Sequence, residues 1–202
     1  MTPLDQLHVF NAMHASPNAR LELSAHLGDG LAAALWHNRD DARDYQAPSH
    51  HTLSCYIDDG TGTFRRQRPA DKGAPDKLCI LPAGHESNWV INGTIRVAHL
   101  YVSEAQYALG CVRLLDREPR ELQLQEATFT DDPQQARRFR PLIQLGWDEP
   151  AERLLASSLA HAVVDHALLS PLGVRDGLRT TGGLAPPPPR PWARRSTSNR
   201  SS

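Results

Sequence analysis

The stretch from Cys79 to Val102 constrains the fold more than any other part of this chain. An apolar run, Cys79-Ile-Leu81, stops at Pro82 and turns through Ala83-Gly84. A second run, Trp89 to Ile91, stops at Asn92-Gly93, the dipeptide that best tolerates positive φ in a tight hairpin. A third run, Ile95 to Val102, follows at once. Strand, turn, strand, Asn-Gly turn, strand predicts an antiparallel meander. A strict two-residue turn at Asn92-Gly93 pairs Trp89 with Arg96. A three-residue loop instead brings Trp89 onto the face of Val97 and His99, and this register is expected because it keeps Trp89 among apolar neighbours. On the last strand Ile95, Val97, His99 and Tyr101 share one face, and Ala98, Leu100 and Val102 share the other. Both faces are partly apolar, which predicts cover on both sides and leaves open which one points inward.

Upstream, Leu21 and Leu23 alternate with polar residues until Gly28-Asp-Gly30 breaks the pattern. Leu31 to His37 reads as the hairpin partner, with a short helix over Ala32-Ala-Ala34 as the alternative. Asn38 to Ser49 is expected as a polar loop, His51 to Ile57 as a strand, and Asp58-Asp-Gly60 as a turn into Thr61 to Arg66. Residues 1–18 lack a strong period and are expected as a loose arm. Many short strands with closely spaced turn signals predict an antiparallel barrel or sandwich over 19–102.

From Ser103 the period becomes helical. Ser103-Glu-Ala-Gln106 is a capping box, and the helix it opens carries Tyr107, Ala108, Cys111, Leu114 and Leu115 on one side. Leu122 and Leu124 suggest an edge strand. Asp132-Pro133 and Asp148-Glu-Pro150 each start a helix, and the second runs to about Leu169. Its stripe, Leu155, Leu159, Ala162, Val163, His166 and Leu169, has the spacing of a packed face. The fold class is therefore mainly β with C-terminal helices, the helical segment spanning 103–185.

Charge narrows the function. Residues 186–202 carry Arg190, Arg194, Arg195 and Arg200 with no acid, +4 in a chain of net charge −1, so the remainder carries −5. An acidic body is a poor partner for phosphates. The 186–202 segment, rich in Pro, Arg and Ser, is expected to be disordered and reads as the product of a frameshift or truncation. No apolar run reaches membrane-span length and the start lacks a signal pattern, so no membrane association and a cytoplasmic location are expected. Cys55 and Cys79 sit in apolar runs and are expected as small buried hydrophobes.

The order and spacing of Pro82-Ala-Gly-His-Glu-Ser-Asn-Trp89, His51-Thr-Leu-Ser-Cys-Tyr56, His99-Leu-Tyr101, Thr128-Phe-Thr-Asp-Asp-Pro133 and Gly182-Gly-Leu-Ala-Pro186 resemble one family. It is the N-terminal effector-sensing and dimerisation domain of AraC-type transcriptional regulators, over roughly Ala19 to Pro186. The resemblance implies a cupin-like, jelly-roll barrel with a small-molecule effector inside and a homodimer formed through the helices. It implies DNA binding only through a helix-turn-helix domain that this chain lacks after Pro186.

The residues suited to line an effector pocket are Trp36, Tyr56, His85, Trp89, His99 and Tyr101, with an ordinary barrel core as the alternative. For dimerisation the candidates are Leu155, Leu159, Ala162 and Leu169. No metal site is expected. Position three after Gly84 is Ser87 where metal-binding cupins place a histidine, and neighbours His50 and His51 point to opposite faces of a strand. His161 and Asp165 share a helix face, but two ligands without a third make a weak chelate. No nucleophile-and-base motif is present, so the expectation is a cofactor-free binding protein rather than an enzyme. A small cupin-fold isomerase or metal-dependent oxygenase, or a non-DNA-binding interaction module, is the alternative.

Overall fold

The computed structural model describes residues 4–171 and 173–177. The expected tail over 186–202, the Gly182–Pro186 motif and the point where the likeness stops lie outside them. After a single turn at Leu4–Gln6 come α1 (His8–His14), β1 (Ala19–Gly28), β2 (Leu31–Gln46), β3 (His50–Asp59), β4 (Thr63–Arg65), β5 (Lys77–Leu81) and β6 (Glu86–Ser103). Then follow α2 (Glu104–Leu115), β7 (Leu122–Leu124), β8 (Ala127–Asp131), α3 (Pro133–Leu142), α4 (Pro150–Leu169) and β9 (Val174–Asp176). The main sheet has the order β1-β2-β6-β3-β5-β8, antiparallel throughout, with β4 joining β6 beyond the end of β3. An antiparallel barrel followed by helices is thus the architecture observed.

The expected Asn92-Gly93 hairpin is absent. β6 is one strand of 18 residues, paired with β2 from Val102↔Leu31 to Glu86↔Gln46. Asn92-Gly93 is instead a bulge: between the pairs Arg39↔Thr94 and Asp41↔Ile91, β6 holds one residue more than β2. Gly93 takes φ +81°, and its N–H donates to Asp40 Oδ1 at 2.7 Å. Asp40, itself at φ +48°, kinks β2 in concert, so both strands bend without separating. The supposed polar loop after Asn38 is the outer half of β2, long enough to follow β6 to its end. The β1–β2 connection, by contrast, is the tight turn expected, with Asp29 and Gly30 both at positive φ.

β6 is covered on both sides. Its Ile95, Val97 and Tyr101 face the barrel interior with Trp36, Tyr56, Trp89, Ile91 and Phe129. Its Ala98, Leu100 and Val102 face a second core built with Leu35, Leu53, Cys55, Phe139, Val163 and Leu168 beneath the helices. Cys55, Cys79 and Cys111 are all buried as free thiols, and burial pushes Cys55 and Cys79 each up to about 12.

The segment expected as a loose arm contains α1, which buries Val9, Phe10 and Met13 against the barrel. Phe10 meets the rings of Trp36 and Tyr101 at 5.2 and 6.2 Å. The segment expected to be helical contributes β8 to the barrel sheet, and β7 pairs with β9 in a separate ribbon rather than at the sheet's edge. The helix starts are as expected: Ser103 Oγ accepts from Gln106 N, and Asp132 Oδ1 accepts from Gln134 N and Gln135 N. The α4 stripe is rotated from the one expected. Ala156, Ala160, Val163, Val164, Ala167 and Leu168 face the core, whereas Leu155 and Leu169 are exposed and Leu159 and Ala162 half-buried. Small residues on the inner face let the helix approach closely, and Leu154, Leu155 and Leu169 are left outside. No described helix is long and apolar enough to cross a membrane.

Candidate functional site

Three of the six expected pocket residues form one hydrogen-bonded unit inside the barrel. Trp36 on β2 donates its Nε1–H to the Tyr101 hydroxyl at 3.3 Å, and that hydroxyl lies 3.2 Å from His99 Nδ1. The phenol oxygen accepts from the indole and also bonds His99 Nδ1, as donor to it or as a second acceptor from it according to the imidazole tautomer. Trp36 and Tyr101 are almost wholly buried, and burial drives the His99 imidazole down to about 3, with a smaller push from His50. The ring is neutral at physiological pH.

Tyr56 and Trp89 complete the interior group through Phe129, whose ring lies 5.5 and 5.8 Å from theirs, edge-on in both cases. Trp89 Nε1–H donates to Ser87 Oγ at 2.9 Å, and the Arg65 guanidinium stands 5.5 Å from its ring centroid. Trp89, Val97 and His99 line the same cavity, as the expected register required, although a bulge rather than a hairpin loop brings this about.

His85 belongs elsewhere. It sits on the Pro82 turn with Nδ1 2.6 Å from the Pro82 carbonyl, edge-on to Tyr45, and borders a cleft outside the barrel. Sequence reading missed His50. Its ring meets Tyr101 at 5.6 Å, is 2% exposed, and has no hydrogen-bond partner on either nitrogen. Burial, then its neighbour His51, holds it down to about 4. The missed signal was parity, since His50 alternates in step with Thr52, Ser54 and Tyr56. His50 and His51 do point to opposite sides: His51 packs on Tyr107 of α2, 4.6 Å between ring centroids.

The space is small. The cavity beside Trp89 and His99 measures about 30 Å³, and the one beside His50 about 70 Å³, and the Tyr101 ring contacts both imidazoles. The first has room for a water or two, the second for slightly more. Met13 of α1 lines the first cavity, and Leu7, just before α1, the second. A ligand of metabolite size therefore enters only if α1 and some interior side chains move.

Among the described residues no group of three His, Cys, Asp or Glu side chains lies together as metal ligands would. His161 and Asp165 turn to separate partners, His161 to Gln106 and Asp29, and Asp165 to Arg113. His166 pairs with Asp132 at 2.6 Å.

No family model matches the chain. No curated protein matches it. Solved structures that share the barrel include the EutQ protein of Clostridium difficile, 12% identical, with 45% of this chain and 73% of that one covered at a TM-score of 0.36. KdgF from Halomonas sp. is 14% identical, over 45% of this chain and 84% of that one, TM-score 0.36. A proposed mannose-6-phosphate isomerase from Ralstonia eutropha JMP134 is 14% identical, over 44% and 87%, TM-score 0.35. Likeness this distant assigns no activity to this chain. It does correct one expectation: with KdgF and an isomerase-named protein among the neighbours, the chain is not to be set down as a non-enzyme.

Proposed function

We propose that this chain is the effector-sensing and dimerisation part of an AraC-type transcriptional regulator, binding a small molecule inside the barrel and relaying its presence to the helices. The observation that carries this reading is the construction of β6. One face of the strand gives Trp89, Val97, His99 and Tyr101 to the interior, and the other gives Ala98, Leu100 and Val102 to the helical layer. Its last residue, Ser103, is the N-cap of α2. A side chain displaced inside the barrel therefore pulls on the backbone that supports α2 and α4.

The interior chemistry favours a ligand with hydrogen-bonding atoms of its own. His50 keeps two buried nitrogens unpaired, and unpaired buried groups are costly enough to reward any ligand that satisfies them. Leu109 and Val112 on α2 and Leu154, Leu155 and Leu169 on α4 are the large exposed apolar side chains among the described residues, which supports pairing of two copies through this layer.

The test combines sedimentation with a thermal-shift screen against sugars, amino acids and aromatic acids. The reading expects a dimer at tens of micromolar and a stabilising compound whose effect is lost in His99→Ala. A monomer that no compound stabilises would end it.

A further inference from the structure

Outside the barrel, a cleft of about 810 Å³ is bordered by the Pro82–His85 turn, the first turns of α2 and the strand β7. This is within the usual size range of a small-molecule site. Two buried imidazoles line it, His51 and His85, and the turn fixes how each is protonated. Ala83 N–H donates to His51 Nδ1 at 3.0 Å, so that nitrogen holds a lone pair and the ring proton sits on Nε2. His85 Nδ1 lies 2.6 Å from the Pro82 carbonyl, which only accepts, so here Nδ1 carries the proton and Nε2 the lone pair.

Both Nε2 atoms are buried and neither makes a hydrogen bond. The His51 Nε2 faces the Glu104 carboxylate at 3.6 Å, a long polar contact that holds the Glu104 carboxyl below its usual value and that this largely exposed side chain can give up to a ligand. The turn thus fixes a donor and an acceptor in the wall of the same cleft, each just beneath its surface. Only one of the two rings offers a lone pair, so they do not make a bidentate metal site. A donor together with an acceptor suits the group that is both, a hydroxyl.

The rest of the lining agrees. Glu104, Glu118 and Glu126 line it together with Arg120 and Arg175, and Glu126 is paired with Arg65, so no single sign of charge selects an ion. Tyr107 adds a buried phenol. We propose that this cleft binds a neutral polyhydroxylated ligand, a sugar or polyol, with His85 Nε2 accepting from one hydroxyl and His51 Nε2 donating to another. The site stands apart from the barrel interior and does not depend on the sensing role proposed above.

The test titrates the full chain with D-glucose and D-mannitol, with D-gluconate as the anionic comparison, while following the imidazole 15N resonances and saturation transfer to the ligand. Both neutral probes should shift the His51 and His85 Nε2 signals, with gluconate weaker. His85→Phe should weaken glucose about tenfold, the loss of one hydrogen bond, while Arg20→Ala on the exposed face of β1 changes nothing. If His85→Phe does not fold, the ring shifts of the unaltered protein still decide. The proposal is overturned if neither neutral probe moves either ring, if gluconate binds better than glucose, or if His85→Phe leaves glucose binding unchanged.

Discussion

Acid should destabilise this protein through two interior imidazoles, and replacing one of them should remove about half of that effect. His50 and His99 are held down to about 4 and about 3, first by burial and then by neighbouring imidazoles. A base whose folded pKa is depressed favours the fold only while neutral. Its contribution is complete above the unfolded value near 6.5 and is lost as pH falls from there towards the folded value. At about pH 5 the unfolded chain binds close to two protons that the folded chain refuses, about 1.5 pH units below the unfolded pKa. At about 1.36 kcal/mol per unit this amounts to about 2 kcal/mol for each ring, about 4 kcal/mol together. Typical domains have about 5–15 kcal/mol in hand, so the loss is large.

The perturbation is His50→Leu, which keeps an apolar body of similar size. Urea titrations at pH 7 and pH 5 (about two units apart) give the change in unfolding free energy for both proteins. The substituted protein should lose about 2 kcal/mol less between the two pH values than the original. An original chain whose stability is flat over this range, or a loss identical in both proteins, would refute the account, because either means the rings are protonated in place or already solvated.

Tyr101→Phe should cost about 1–3 kcal/mol in a urea titration, because it strands the buried Trp36 N–H as well as His99 Nδ1. Gly93→Val should lower stability by about 1–3 kcal/mol by forcing a β-branched residue to φ +81°; a melting temperature within a degree or so of the parent would show that the bulge relaxes freely. Leu168→Asp should prevent folding, since Leu168 is 2% exposed and meets Gly110, whereas Leu155→Asp, 51% exposed, should change stability by no more than about 0.5 kcal/mol while separating any dimer seen by sedimentation.

The legible parts of the fold were those decided within a few residues. Ser103 and Asp132-Pro133 mark helix starts because cap and amide lie in one turn, and the structure has both bonds. Asn92-Gly93 was misleading because a hairpin and a bulge ask for the same positive φ. The choice lay with Asp40, distant in sequence, whose carboxylate holds Gly93 N–H and bends β2 to match. Val9, Phe10 and Met13 share one face of α1, but seven residues set up no sustained period and are too few to form a helix without the barrel surface to pack on. The α4 stripe was misread because large leucines suggested the core, when the tight contact is made by Ala156, Ala160 and Ala167. Of the expected pocket, Trp36, Tyr56, Trp89, His99 and Tyr101 share the interior because strand alternation places them there. His85 does not, since its orientation is set by a turn carbonyl rather than by a strand's pleat.

The unbroken course of β6 sets what kinds of genetic change this protein can survive. From Val97 to Val102 the residues face alternately the barrel interior and the core beneath the helices. Losing or gaining a single codon there would exchange them all at once, sending Leu100 and Val102 towards the small cavities and Tyr101 and His99 under the helices. Substitutions can be repaired locally, but a slip of one cannot. Drift in length along this strand should therefore collect at Asn92-Gly93, where the ladder already holds a surplus residue and the side chains lie at the surface.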